Sequence, residues 1–275
     1  MATRITSPVL VTGGTGTLGR LVVPRLRDAG YAVRVLSRGR HEGADGVEFV
    51  TGDLATGDGV DAAVAEAEVI VHCAGSTKGD EVKARHLVEA ASRAGTRHVV
   101  NISVVGADRV PLAGAVDRVM FGYFGSKLAA ERTIAESGVP WTTLRATQFH
   151  DLMLTTARQM ARMPLVPVPS GFRFQPIETD EVAARLVELA LDAPAGLVPD
   201  IGGPTSYDMV DLVCGYLRAA GKRRPIVPIR LPGKAARAFR EGVNLAPDRA
   251  VGHRTWEDFL ASQVGTPDKV VAARA

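Results

Sequence analysis

The stretch Val11-Thr12-Gly13-Gly14-Thr15-Gly16-Thr17-Leu18-Gly19-Arg20 decides how this chain folds. Before it stands the compact apolar run Pro8-Val9-Leu10-Val11-Thr12, which reads as a buried strand. After it, residues 18–29 carry Leu18, Leu21, Val22, Val23 and Leu26 at helical spacing, and Gly30 stops the pattern. Glycines in a loop ordinarily mark a turn and nothing more. Between a strand and a helix they acquire separate tasks: Gly13 permits the tight turn, Gly16 lets backbone approach a pyrophosphate, and Gly19 lets helix and strand pack closely. The helix N-terminus adds free N–H groups and the positive end of a dipole. Gly13, Thr15, Gly16, Thr17, Leu18 and Gly19 are therefore the candidate contacts to a dinucleotide. The spacing is G-x-x-G-x-x-G, not the commoner G-x-G-x-x-G.

Working outward, short β-rich runs alternate with helical ones. Strands are expected at residues 32–36, 47–50, 69–72, 98–103 and 141–145, with helices over 80–94 and 123–136. Repeated strand–helix–strand units imply a parallel sheet covered on both faces, and right-handed crossovers leave a doubly wound α/β Rossmann sheet. Residues 1–150 read as the nucleotide-binding core. Beyond 150, prolines at 164, 167, 169, 194, 199 and 204 punctuate shorter elements, with helices expected at 180–191 and 207–219. Residues 151–275 are expected partly to return to the sheet and partly to form a small lobe over the substrate.

Composition sets the outer limits. The 275 residues are 46% hydrophobic and 23% charged, ordinary for a globular protein. No apolar stretch approaches the roughly 18 residues of a membrane span, and the N-terminus has no basic region followed by an apolar core. Two cysteines, Cys73 and Cys214, build neither a disulfide framework nor a metal site, so a cytoplasmic protein without metal is expected. The six histidines lack metal-ligand spacing, and no G-x-S-x-G elbow supports a hydrolase. From Arg218 to Arg240 there are eight basic residues and no acidic one: either a solvated face or a rim attracting an anion. Without interleaved aromatics it is a poor nucleic-acid surface. No membrane partner is expected, and a homo-oligomer or protein partner stays open.

Cofactor choice is read at the end of the second strand, where NAD binders place a carboxylate. Here stands Leu36-Ser37-Arg38-Gly39-Arg40. Ser37 can donate to a 2′-phosphate and Arg38 can pair with it through its planar fork, pointing to NADP(H). The plain alternative is that these arginines decorate a loop.

The wording Thr-Gly-Gly-Thr-Gly-x-Leu-Gly resembles the extended and atypical short-chain dehydrogenase/reductases, including their NmrA-like branch, over roughly residues 7–200. The resemblance implies that Asp53, in Gly52-Asp53-Leu54, meets adenine; the residue could equally cap a turn. It implies that the backbone of Cys73, Ala74 and Gly75 runs past ribose and pyrophosphate. His72, inside an apolar strand, reads as a satisfied core histidine.

Tyr123-Phe124-Gly125-Ser126-Lys127 raises the question of chemistry. Residues four apart share a helix face, and an ammonium beside a phenol favours the phenolate, lowering a pKa of about 10. This resembles the family's Tyr-x-x-x-Lys pair, with Ser103 as the hydroxyl partner and Lys127 also anchoring the nicotinamide ribose. If the helix began only near Gly125, Tyr123 would be packing instead. Gln148 and His150, after the sixth strand, are candidates for substrate or nicotinamide-amide contacts, or else a plain surface loop. The expected function is an NADP(H)-dependent oxidoreductase acting on a small carbonyl, alcohol or activated double bond. A non-catalytic NADP(H)-binding regulator is the alternative. An isomerase is a third reading, weakened because Gln148 or His150 stands where sugar-nucleotide members favour asparagine.

Overall fold

The computed structural model describes residues 7–43, 46–76 and 78–264. In chain order the core comprises β1 (Val9–Thr12), α1 (Gly19–Asp28), β2 (Val33–Ser37), β3 (Val47–Thr51), α2 (Val60–Val64), β4 (Val69–His72), α3 (Asp80–Ala94), β5 (His98–Val104), α4 (Ala115–Ala135) and β6 (Trp141–Ala146). Then follow α5 (His150–Met160), β7 (Val166–Pro169), β8 (Arg173–Phe174), α6 (Thr179–Ala190), β9 (Gly196–Leu197), β10 (Tyr207–Asp208), α7 (Met209–Ala219), β11 (Ile226–Ile229), α8 (Lys234–Arg240) and α9 (Trp256–Val264). Among the described residues no helix is long and apolar enough to cross a membrane.

The main sheet runs β3-β2-β1-β4-β5-β6-β9, and every pairing is parallel. Strand order reverses between β1 and β4, the point beside which doubly wound sheets bind their ligands. Val9, Val11, Val33, Val35, Val71, Val100, Ile102 and Leu144 fill one face under α1 and α6. The opposite face, under α2, α3 and α4, begins apolar with Leu10, Ile70 and Val99. Strand alternation puts Thr12, His72, Asn101, Ser103, Thr143 and Arg145 on that same face at the carboxyl ends, all buried. The face thus turns polar where ligands approach.

The C-terminal part divides. α6 packs on α1 and β9 extends the sheet. The parallel pair β7–β11, the antiparallel pair β8–β10 and the helices α5, α7, α8 and α9 surround a separate cluster that includes Phe172, Tyr216, Phe239, Trp256 and Phe259. Phe121 and Phe124 of α4 join that cluster.

Two elements depart from the sequence reading. α4 begins at Ala115, eight residues before the expected start, so Tyr123 lies inside the helix. Asp117 holds its first turn by accepting from the Gly114 N–H (3.2 Å) and from the Ala235 N–H of α8 (3.2 Å). Gly125 is tolerated there because a Cβ would lie 2.5 Å from Leu112 Cδ1. The segment after β6, read as a loop carrying ligand contacts, enters α5 at His150.

Candidate active site

The glycine loop crosses from β1 to α1 as a compact turn, closed by the Gly16 N–H on the Gly13 carbonyl at 2.9 Å. Gly13 has φ +67°, and a Cβ there would stand 2.7 Å from the Ala74 nitrogen, so both conformation and space demand glycine. A Cβ on Gly16 would meet only the Gly13 oxygen, at 3.2 Å, and otherwise points outward. Gly19 packs against the loop, its Cβ position 2.6 Å from Gly14 Cα. Gly14, given no task by the sequence reading, sits with its Cβ position 2.7 Å from Val35 Cγ1. Thr15, Gly16 and Thr17 are exposed, whereas the Leu18 side chain belongs to the core. Among the described residues no acceptor takes the N–H groups of Thr15, Thr17 and Leu18. They form the ready anion site of a helix N-terminus.

At the end of β2, Ser37 is buried and Arg38 exposed, and among the described residues Arg38 makes no ion pair. Asp53 accepts from the Ala55 N–H at 2.8 Å, so one carboxylate oxygen caps a turn. Leu54 is buried with Leu36 and Val60.

Beside the loop, Thr12 Oγ1 lies 2.7 Å from His72 Nδ1, and burial pushes the His72 imidazole down to about 3. This is the satisfied core histidine expected. Burial likewise raises the Cys73 thiol to about 12, against a weaker pull from Lys127. Gly75 faces the ammonium of Lys127: a Cβ there would lie 2.7 Å from Nζ.

Lys127 is buried, and its Nζ stands 3.1 Å from Asp80 Oδ2. Asp80 opens α3, where the helix dipole favours a carboxylate, and its Oδ1 accepts from the Ser76 N–H (2.8 Å) and from Lys83 (3.2 Å). Lys127 and these donors outweigh burial and hold the Asp80 carboxyl below its ordinary range. The sequence reading missed Asp80. The signal was an acid opening the helix that follows Gly75-Ser76.

Tyr123 is one turn before Lys127, with Nζ 5.9 Å from its ring centroid. The expectation of a lowered phenol is corrected: burial, with the Asp80 charge added, outweighs the Lys127 ammonium and raises the Tyr123 pKa. At the phenol the Asp80 charge opposes the Lys127 ammonium, with a smaller effect than Lys127 or burial. Ser103 projects from β5 on the face beneath α4, and its buried Oγ has no partner. Its cross-strand neighbour Arg145 is fully engaged, with Glu131 of α4 at 2.9 and 2.6 Å and with Asp108 at 2.9 Å.

Gln148 is 7% exposed, and neither its Nε2 nor its Oε1 has a partner. His150 goes elsewhere. It is fully buried, stacked on Phe259 (4.9 Å) and Trp256 (6.0 Å), with Nδ1 3.6 Å from Glu178. The geometry gives His150 to the lobe's core, not to a contact at the sheet edge. Among the described residues no group of three or more His, Cys, Asp or Glu side chains is placed to hold a metal ion.

A family model described as NAD(P)H-binding matches residues 13–193. A ceramide reductase from Caulobacter vibrioides is 29% identical over 258 residues, 85% of this chain and 77% of that protein. An NAD(P)H azoreductase from Xenophilus azovorans is 28% identical, over 97% of this chain and 94% of that protein. Of some other curated relatives the chain spans half the length or less. An NADPH-dependent quinone oxidoreductase from Escherichia coli, crystallised with NADPH, shares the fold with a TM-score of 0.76 at 17% identity, over 93% of this chain and 99% of that one.

Proposed function

The chain belongs to the NAD(P)H-binding family, and from that membership we propose that it is an NADP(H)-dependent oxidoreductase of the short-chain dehydrogenase/reductase type. Its substrate is a carbonyl compound or an activated double bond, or in reverse the corresponding alcohol. The observation that carries this reading is the Tyr123–Lys127 pair one turn apart on α4, supported by an unpartnered Ser103 hydroxyl on the strand beneath that helix and by a glycine loop with free N–H groups.

The residues fit the cofactor. The amides of Thr15, Thr17 and Leu18 would take the pyrophosphate, and Gly16 leaves it room. Ser37 and Arg38 would take a 2′-phosphate, and no carboxylate competes at that strand end. Asp53 keeps one oxygen for adenine, and backbone at Cys73, Ala74 and Gly75 would pass the ribose. The unpartnered amide of Gln148 offers one donor and one acceptor face to a carboxamide or to substrate.

Bound NADPH supplies the hydride. Tyr123 is a neutral phenol at physiological pH, the protonation state that a proton donor to the developing alkoxide needs, although its raised pKa makes it a weaker acid than a free phenol. Ser103 donates to the same oxygen and orients it. Lys127, held by Asp80, fixes the ribose and keeps a positive charge near the phenolate that proton transfer leaves behind. Solvent then returns a proton to Tyr123.

The test is NADPH oxidation screened against aldehydes, ketones, quinones and enones. Turnover with any of these classes supports the reading. Tight NADPH binding without turnover on any class favours the regulator.

A further inference from the structure

Helix α4 passes through two environments along a single stripe. Residues 116, 120, 123, 127, 130, 131 and 134 recur at three- and four-residue steps and so share one face. The later half of that face is covered. Ala130 and Ile134 pack in the sheet-side cluster, Lys127 meets Asp80, and Glu131 meets Arg145 near the end of β6. The earlier half is not: Tyr123 is 36% exposed, Met120 46%, Val116 53%, and Val119 beside them 84%.

In a β-α-β unit the helix starts at the carboxyl edge of the sheet and runs back over it. Glu131 lies over the end of β6, so the residues before Lys127 overhang that edge. Val116 is eleven residues before Lys127, about 16 Å further out at the helical rise. One neighbouring side of the overhang is occupied: Asp117 binds the start of α8, and the Phe121 ring lies tilted at 4.8 Å from Phe239 of that helix. The side away from the stripe carries the exposed Arg118. What is left is an apolar strip, free of charged side chains, running from open solvent to the phenol at the candidate site. Three neighbouring apolar side chains kept in water, ending at the edge of the partly covered Tyr123 ring, form a patch of the kind that marks a binding surface.

We infer that Val116, Val119 and Met120 form the platform for an apolar substrate body, an alkyl chain or an aromatic ring system, whose reducible group reaches Tyr123. The inference rests on the reading of Tyr123 as proton donor. Continuity of the strip with the face that bears Tyr123 and Lys127 favours substrate over a second copy of the chain.

The test uses two benzoquinones, one with a decyl substituent and one with a methyl, titrated calorimetrically into the NADP+-saturated protein, where no turnover occurs. The decyl compound should bind about tenfold or more tightly, each buried methylene contributing about fourfold. The double variant Val116→Glu/Met120→Glu should bring the two affinities together while NADP+ affinity, which also reports folding, stays as in the wild type. Equal affinities in the wild type, or an unchanged preference in the variant, overturn the platform. So does a wild-type dimer in sedimentation that the variant dissociates without any effect of the tail. NADPH oxidation by the same quinones is read separately. An intact tail preference without reduction keeps the platform and counts against quinone reduction, whereas equal reduction without tail preference does the converse.

Discussion

The ammonium of Lys127 lies 3.1 Å from a carboxylate oxygen of Asp80, a residue 1% exposed at the start of α3. Two helices that flank the sheet are joined by this pair at the point where Gly75 lets Lys127 approach the backbone. The pair fixes the position of Lys127, and the Asp80 charge offsets part of the effect of the ammonium on Tyr123.

Asp80→Asn should therefore lower the pH at which the Tyr123 phenol ionises, since Asp80 raises that pKa and Lys127 lowers it. Lys127→Ala should raise it. Ultraviolet difference titration, with Tyr123→Phe subtracted to remove the other tyrosines, reads both shifts without a substrate. An identical Tyr123 titration in Asp80→Asn and wild type would show that the ion pair does not govern the phenol.

Two glycines of one loop should fail in different ways. Gly16→Val places its side chain where the pyrophosphate would lie, so NADPH binding is lost while the melting temperature holds. Gly14→Val drives into Val35 and costs stability, by about 1–3 kcal/mol as for other overpacked sites. Thermal melts and cofactor titration of both variants separate the two outcomes. Retained NADPH affinity in folded Gly16→Val contradicts the loop's role.

Arg38 is exposed at the end of β2 and is proposed to face a 2′-phosphate. Arg38→Asp should weaken NADPH binding by about 1–3 kcal/mol, the scale of a charge-assisted hydrogen bond, and narrow the gap to NADH. Equal wild-type affinities for NADH and NADPH would refute the preference.

The strands and the glycine loop were legible in the sequence because their causes are local. Apolar runs such as Val9–Thr12 and Val69–His72 and the spacing of Gly13, Gly16 and Gly19 are read within a few residues. The same holds for α3, whose ends at Asp80 and Ala94 follow from periodicity and the Gly95 stop. Contacts between distant segments were not legible. The early start of α4 depends on Ala235 meeting Asp117, and the fate of His150 depends on Trp256 and Phe259. Asp80 is a plain helix-opening acid in sequence, and only the packing of α3 on α4 turns it into the partner of Lys127.

Buried histidines make the fold sensitive to mild acid. His72 is pushed down to about 3 and His98 to about 4, while an unfolded histidine titrates near 6.5. Between these values the unfolded chain binds more protons than the native one, so stability is full above pH 6.5 and declines as pH falls. Each group contributes a slope of at most about 1.4 kcal/mol per pH unit. Urea unfolding at pH 7, 6 and 5 should show this decline, and His72→Gln should flatten it. A wild-type slope identical to that of His72→Gln would contradict the buried neutral imidazole.

The measurement closest to the central claim is NADPH oxidation by wild type and Tyr123→Phe on the best acceptor from the screen, with NADPH affinity determined alongside. If Tyr123 delivers the proton, the phenylalanine variant binds NADPH as the wild type does and turns over about 100- to 10,000-fold more slowly. Wild-type turnover in Tyr123→Phe would contradict the account.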